Sequence, residues 1–197
     1  MECTNLTSIT IPDSVTSIET NAFYKCANLP SITIPDSVTS IGASAFSNCT
    51  KLASVTLPNN ANFTSIPTQA FSSCGLTSIT IPDNVTSIGA SAFTNCTKLA
   101  SVTLPTNANF TSISNSAFEG TGIASVTIPA SVTSIEKSAF NPCNGLKSVT
   151  FQGTIASDGF ESNAFIGDLR AKFYATDSTN GTPGTYTENA FVWTKQP

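Results

Sequence analysis

The sequence predicts a single, mainly β solenoid built from short stacked coils, and three observations lead there. Near-copies of the stretch LPSITIPDSVTSIGASAFSNC, which runs from Leu29 to Cys49, recur along the 197 residues. A segment this short cannot bury its own apolar face, so tandem copies must stack around a shared core. A Phe in an S-A-F or N-A-F step, Q-A-F at Phe71, marks each copy, at Phe23, Phe46, Phe71, Phe93, Phe118, Phe140 and Phe165, with intervals of 23, 25, 22, 25, 22 and 25 residues. Charged residues are only 10% of the chain, against roughly 25% in ordinary soluble domains. Ser, Thr and Asn must therefore supply the surface polarity.

Each copy opens with an L-x-x-I-x-I step that points alternate side chains inward, as in Leu29, Ile32 and Ile34 or Leu76, Ile79 and Ile81; this is read as one parallel strand per repeat. Pro follows in six copies, from Pro12 to Pro129, where its missing N–H and fixed φ end the strand. The next V-T-S-I step turns Val38 and Ile41 inward, and their equivalents likewise. Ala and Phe then close the coil in a short turn or 3₁₀ segment, since A-F-x-x-C is too short for a full helix.

Long and short repeats pair into a unit of 47 residues, and the unit from Asn48 is nearly repeated from Asn95. In the long repeats Phe63 and Phe110 replace the Val, and two extra residues make Asn-rich loops after Pro58 and Pro105. The pattern degrades from about Phe151. The division expected is residues 1–168 as solenoid, with a truncated first repeat, and residues 169–197 as a capping strand and hairpin around Tyr174, Tyr186 and Trp193. About eight coils at ~4.8 Å per coil span roughly 38 Å.

Composition excludes several functions. The net charge of −4 is scattered, with no Lys/Arg cluster able to neutralise phosphates, so neither nucleic acid nor an anionic membrane is an expected partner. No apolar run approaches the ~18 residues of a membrane helix, and no membrane insertion is expected. The chain has no His, which leaves general acid–base chemistry to scattered carboxylates; the reading is not an enzyme, with no cofactor. Cys26, Cys49, Cys74, Cys96 and Cys143 each follow the marker Phe by three residues. A straight column cannot form a tetrahedral metal site, and small buried thiols packing the turn are the expectation. Asp13, Asp36 and Asp83 share the position after Pro and read as turn residues bonding nearby N–H groups.

The pattern L-x-x-I-x-I-P-x-S-V-x-S-I-G-x-x-A-F-x-x-C, in register from about Cys3 to Phe165 with Thr121 standing at one Cys position, resembles the BspA-like leucine-rich repeats. The resemblance implies a right-handed solenoid with a parallel sheet on its concave face and short turns or 3₁₀ segments on the convex side. It also implies a cell-surface or secreted protein of adhesin type, binding extracellular-matrix proteins or the surface proteins of other cells, while the uncharged outward strand face suits an extended protein or a glycan.

Outward strand positions form two hydroxyl columns, one of Thr from Thr10 to Thr150 and one of Ser from Ser8 to Ser148. Thr suits exposed strands for structural reasons alone. The candidate ligand-binding residues are Thr33, Thr56, Thr80, Thr103 and Thr127 with Ser54, Ser78 and Ser101. The loop residues Asn60, Asn62, Asn107 and Asn109 form a second candidate edge. A structural spacer projecting another domain is the competing reading. The first strand, at Leu6, Ile9 and Ile11, has an uncapped edge, which predicts self-association.

Overall fold

The structure, a computed structural model, describes residues 3–190 and 192–197. Met1 and Glu2, at the start of the expected first repeat, and Phe191 in the expected cap lie outside the described residues. Stacked coils of parallel strands form a solenoid of about six turns. That is fewer than the eight expected: Leu6–Ile11 adopts no strand, and beyond Phe165, which still stacks on Phe140, the chain leaves the repeat for a helix and a hairpin.

A coil has three segments. Its first strand is the Ser-Ile/Val-Thr step, seen at Ser31–Thr33, Ser54–Thr56, Ser78–Thr80, Ser101–Thr103, Ser125–Ile128 and Ser148–Phe151. Ser and Thr face outward while the intervening Ile or Val faces the core. A second strand of only two residues is the Ser-Ile of V-T-S-I, at Ser17–Ile18, Ser40–Ile41, Ser65–Ile66, Ser87–Ile88, Ser112–Ile113 and Ser134–Ile135. Two residues are too few for alternation to announce a strand.

Strand pairing is staggered. Ser31–Thr33 pairs with Ser54–Thr56 and Ser78–Thr80 with Ser101–Thr103, whereas the second strands pair Ser17–Ile18 with Ser40–Ile41 and Ser65–Ile66 with Ser87–Ile88. The coil of Phe46 is thus bonded forward by its first strand and backward by its second. Second strands fail to pair across the 25-residue steps from Ser40 to Ser65 and from Ser87 to Ser112, which carry the extra loop residues.

The third segment, around Ala-Phe, is a run of tight turns. Ala45 N, Ser47 N and Cys49 N donate within the coil to Gly42 O, Ser44 O and Phe46 O; the N–H groups between them, on Ser44, Phe46 and Asn48, donate to Thr68, Ala70 and Ser72 of the next coil. Positive φ at Ser44 (55°) and Asn48 (62°) sets this alternation, which sends half the donors out of the coil and forbids a helix. Close approach of coils explains the Gly of the motif: a Cβ on Gly42 would lie 2.2 Å from Thr20 N.

Seven Phe rings stack along the axis with centroids 4.9–5.5 Å apart and planes within 12° of parallel. Ala45, Phe46, Leu52 and their equivalents through Ala139, Phe140 and Leu146 are buried around them, whereas Ala22 is exposed and Phe23 half-buried at the amino end. The carboxy end is closed by a helix, Leu169–Phe173, where the sequence reading expected a strand. Its Leu169 and Phe173, one turn apart, both reach the core. The hairpin Gly184–Asn189 and Val192–Lys195 then pairs antiparallel with Ser148–Phe151. Tyr186 and Trp193 are buried under it, and Trp193 Nε1 donates to Ile166 O at 2.9 Å.

Candidate ligand-binding face

The first-strand side carries a groove. Three depressions of about 530, 630 and 310 Å³ run in series along it. The first shares Thr56 and Leu57 with the second, and the second shares Thr103, Leu104 and Thr106 with the third. The eight strand positions singled out in the sequence, Thr33, Thr56, Thr80, Thr103, Thr127, Ser54, Ser78 and Ser101, all line it and are all exposed. The hydroxyls lie in register across paired strands, Thr33 beside Thr56 and Thr80 beside Thr103. Each hydroxyl both donates and accepts, so the floor is an uncharged lattice of polar groups over an apolar core.

The loop asparagines divide. Asn60 Nδ2 donates to Val38 O at 2.8 Å, and Asn60 Oδ1 accepts from Asn62 N at 2.9 Å and Phe63 N at 3.0 Å. Asn107 repeats this, with Nδ2 on Val85 O at 2.8 Å and Oδ1 accepting Asn109 N at 2.9 Å. Ser37 and Asn84 reach Val15 O and Phe63 O from the same repeat position. Asn60 and Asn107 therefore belong to a column of side-chain struts that tie each coil to the one before, and their amides are committed to the backbone. Asn62 and Asn109 remain exposed.

Sequence reasoning passed over the groove's rim. Asp13, Asp36 and Asp83 stand at the strand ends and line the first two depressions. Two of these carboxylates reach across coils: Asp36 Oδ1 accepts Asn59 N at 2.8 Å, and Asp83 Oδ1 accepts Thr106 N at 2.7 Å and Thr106 Oγ1 at 3.1 Å. The signal was present in the sequence, since Asp recurs two residues beyond the last inward strand residue. Local spacing alone points to a turn, because the bonded partner lies one coil onward, 23 residues away in the chain.

The cysteines lie under the turns, away from this face. Five of the six are buried and all six are free. Cys49, Cys74, Cys96 and Cys143 donate their thiols to the marker Phe carbonyl of the preceding Cys or Thr coil, at 3.0–3.1 Å. Burial pushes the Cys26 thiol up to about 11 and Cys96 up to about 12. Thr121 fills its Cys position with a hydroxyl bonded to Phe118 O at 2.8 Å and 3.2 Å from Cys143 Sγ. Among the described residues no group of three metal-ligating side chains converges, and no helix is long and apolar enough to cross a membrane.

The family model of the BspA type leucine-rich repeat region matches residues 1–65 and 64–180, in six copies. No curated protein matches the chain. Among solved structures, the leucine-rich repeat protein of T. pallidum is 32% identical with a TM-score of 0.66, covering 72% of this chain and 67% of its own. A leucine-rich cell surface protein of Faecalibacterium prausnitzii is 34% identical with a TM-score of 0.52, over 74% of this chain and 32% of its own. The pneumococcal vaccine antigen PcpA is 25% identical with a TM-score of 0.62, over 78% of this chain and 42% of its own. The chain thus spans about two thirds of the first of these proteins and about a third of the second.

Proposed function

This chain belongs to the BspA-type leucine-rich repeat family, and on that premise we propose that it is a non-enzymatic binding module of a cell-surface or secreted protein. Its partner is an extracellular-matrix or cell-surface protein, or a glycan, held along the Ser/Thr groove. One observation carries the reading: the groove runs unbroken over several coils and is floored by hydroxyls that no packing role consumes. An elongated ligand gains from many weak contacts repeated at the coil interval. The description of one similar structure as a cell surface protein supports the location.

The test is binding to immobilised matrix proteins, cell-surface proteins and glycans, with Thr56→Lys/Thr80→Lys as the altered face. Saturable binding that the double variant loses is the expected result. Binding unchanged in that variant removes the groove as the site. A spacer is the second reading, favoured by the continuous Phe stack, which stiffens the rod; a spacer responds to the number of coils and not to its surface. The amino end adds a self-contact. Ile9 is 39% exposed beside half-buried Leu6, Val15 and Phe23, and copies associate through this apolar end. A strictly monomeric particle in sedimentation at high concentration would remove that contact.

A further inference from the structure

A second depression, of about 680 Å³, lies on the turn side of the first three coils, apart from the Ser/Thr groove. Its origin is a break in the repeat. At the outward turn positions the middle coil carries Ser44 and Ser47, while the coil before carries Asn21 and Tyr24 and the coil after carries Gln69. Later coils have Ser91, Ser116 and Ser138 where Asn21 and Gln69 stand. Small hydroxyl side chains thus form a floor between walls of amide and phenol.

The walls are held in place. Ser44 Oγ donates to Gln69 Oε1 at 3.3 Å, which leaves the Gln69 amide NH₂ as a donor, and Asn48 Nδ2 donates to Ser47 Oγ at 2.9 Å, which leaves Asn48 Oδ1 as an acceptor. Lys25 Nζ lies 5.3 Å from the Tyr24 ring centroid and braces the half-buried ring. Among the described residues no carboxylate, Lys or Arg lines the depression, the Lys25 ammonium lying outside it beside the Tyr24 ring.

We infer that this depression is a binding site for a neutral oligosaccharide, independent of the Ser/Thr groove. Carboxamides and hydroxyls supply donors and acceptors together, matching sugar hydroxyls, which need both. Tyr24 adds an amphipathic wall, an apolar ring with a polar tip. A peptide would need an apolar anchor pocket or a strand edge, and the lining offers neither. An acidic sugar would meet no cation in the lining. The coils beneath are spaced 5.0 and 5.3 Å by their stacked rings, a span that suits a disaccharide.

The experiment uses the full chain and an array of neutral gluco-, galacto-, manno- and N-acetylglucosamine oligosaccharides beside sialylated and sulfated ones and a peptide library, followed by calorimetry on the hits. The expected result is binding to a neutral oligosaccharide, weakened at least tenfold by Tyr24→Ala and abolished by Ser72→Glu, which closes the depression. Ser72→Glu keeps the test valid if Tyr24→Ala unfolds, because the same turn position holds Tyr24 and Glu119 in other coils. Thr56→Lys/Thr80→Lys leaves this affinity unchanged, which separates the site from the groove. A folded protein that binds no neutral oligosaccharide overturns the inference. So does preference for charged glycans or peptides, or binding indifferent to Ser72→Glu.

Discussion

The turn side and the Ser/Thr side of each coil are made of the same repeated sequence, yet they hold the solenoid together to very different degrees. On the turn side successive coils are joined by stacked Phe rings, by alternate backbone donors and, at Cys49, Cys74, Cys96 and Cys143, by thiols on carbonyls. On the Ser/Thr side the strands pair two by two until the hairpin adds to the last pair, single backbone bonds such as Thr77 N to Ala53 O link one pair to the next, and most outward side chains are exposed. Cohesion is thereby concentrated on the turn side, so the outward columns of the Ser/Thr side can vary without loosening the stack.

The largest effect that would break this contrast comes from the ring stack. Phe93 is fully buried, with Phe71 at 5.5 Å and Phe118 at 5.3 Å on either side. Phe93→Ala leaves a cavity in the middle of the rod and costs about 3–5 kcal/mol, read as a lower denaturation midpoint. Because a repeat array is cooperative only through neighbouring interfaces, a second unfolding transition is expected as the two halves uncouple. A single transition at the wild-type midpoint would show that the stack is not what joins the coils.

Next is the strut. Asn60→Ala removes the bond to Val38 O and strands the N–H groups of Asn62 and Phe63, at a cost of about 2 kcal/mol. Asn62→Ala, on the exposed side of the same loop, costs no more than about 0.5 kcal/mol. Equal effects in urea unfolding would mean that the loop, and not the Asn60 amide, sets the stability. A smaller effect concerns the thiols. The folded pKa of Cys96 is raised by burial from 9.0 to about 12, so the folded protein holds this proton more tightly than the unfolded chain. The stabilisation is complete below pH 9 and is lost as pH rises toward 12. Urea midpoints at pH 7.5 and 10.5 should fall in that order, and a thiol reagent at neutral pH should label exposed Cys3 and spare the buried five.

The stacking axis was legible because Phe, Ala, Cys and the strand Ile or Val each recur once per coil, and a repeating position in sequence is a column in space. What the sequence hid are relations between coils. The staggered pairing follows from two extra residues that shift one strand of every second coil. The Asn60 and Asn107 amides looked like an exposed edge because their partners, Val38 O and Val85 O, lie 22 residues back in the chain. The helix Leu169–Phe173 is a single turn whose two buried residues, Leu169 and Phe173, could equally have been spaced along a strand. The groove over Ser44 exists only through contrast with Tyr24 and Gln69, and a comparison of outward positions coil by coil would have exposed it.

The smallest stability effect belongs to the Ser/Thr face, and there the contrast is sharpest. Thr56 and Thr80 point outward from strands whose inward neighbours do the packing. Replacing both with Lys adds two like charges to neighbouring coils across a step where the strands are not paired. Long flexible stems let the ammonium groups spread into water, so thermal stability should shift by no more than about 1 kcal/mol. Ligand binding at the groove should nonetheless disappear, because the hydroxyl lattice is covered. A large loss of stability would instead mean that the hydroxyl columns knit the coils together. The face would then be structural, and the division of labour between the two sides would fail.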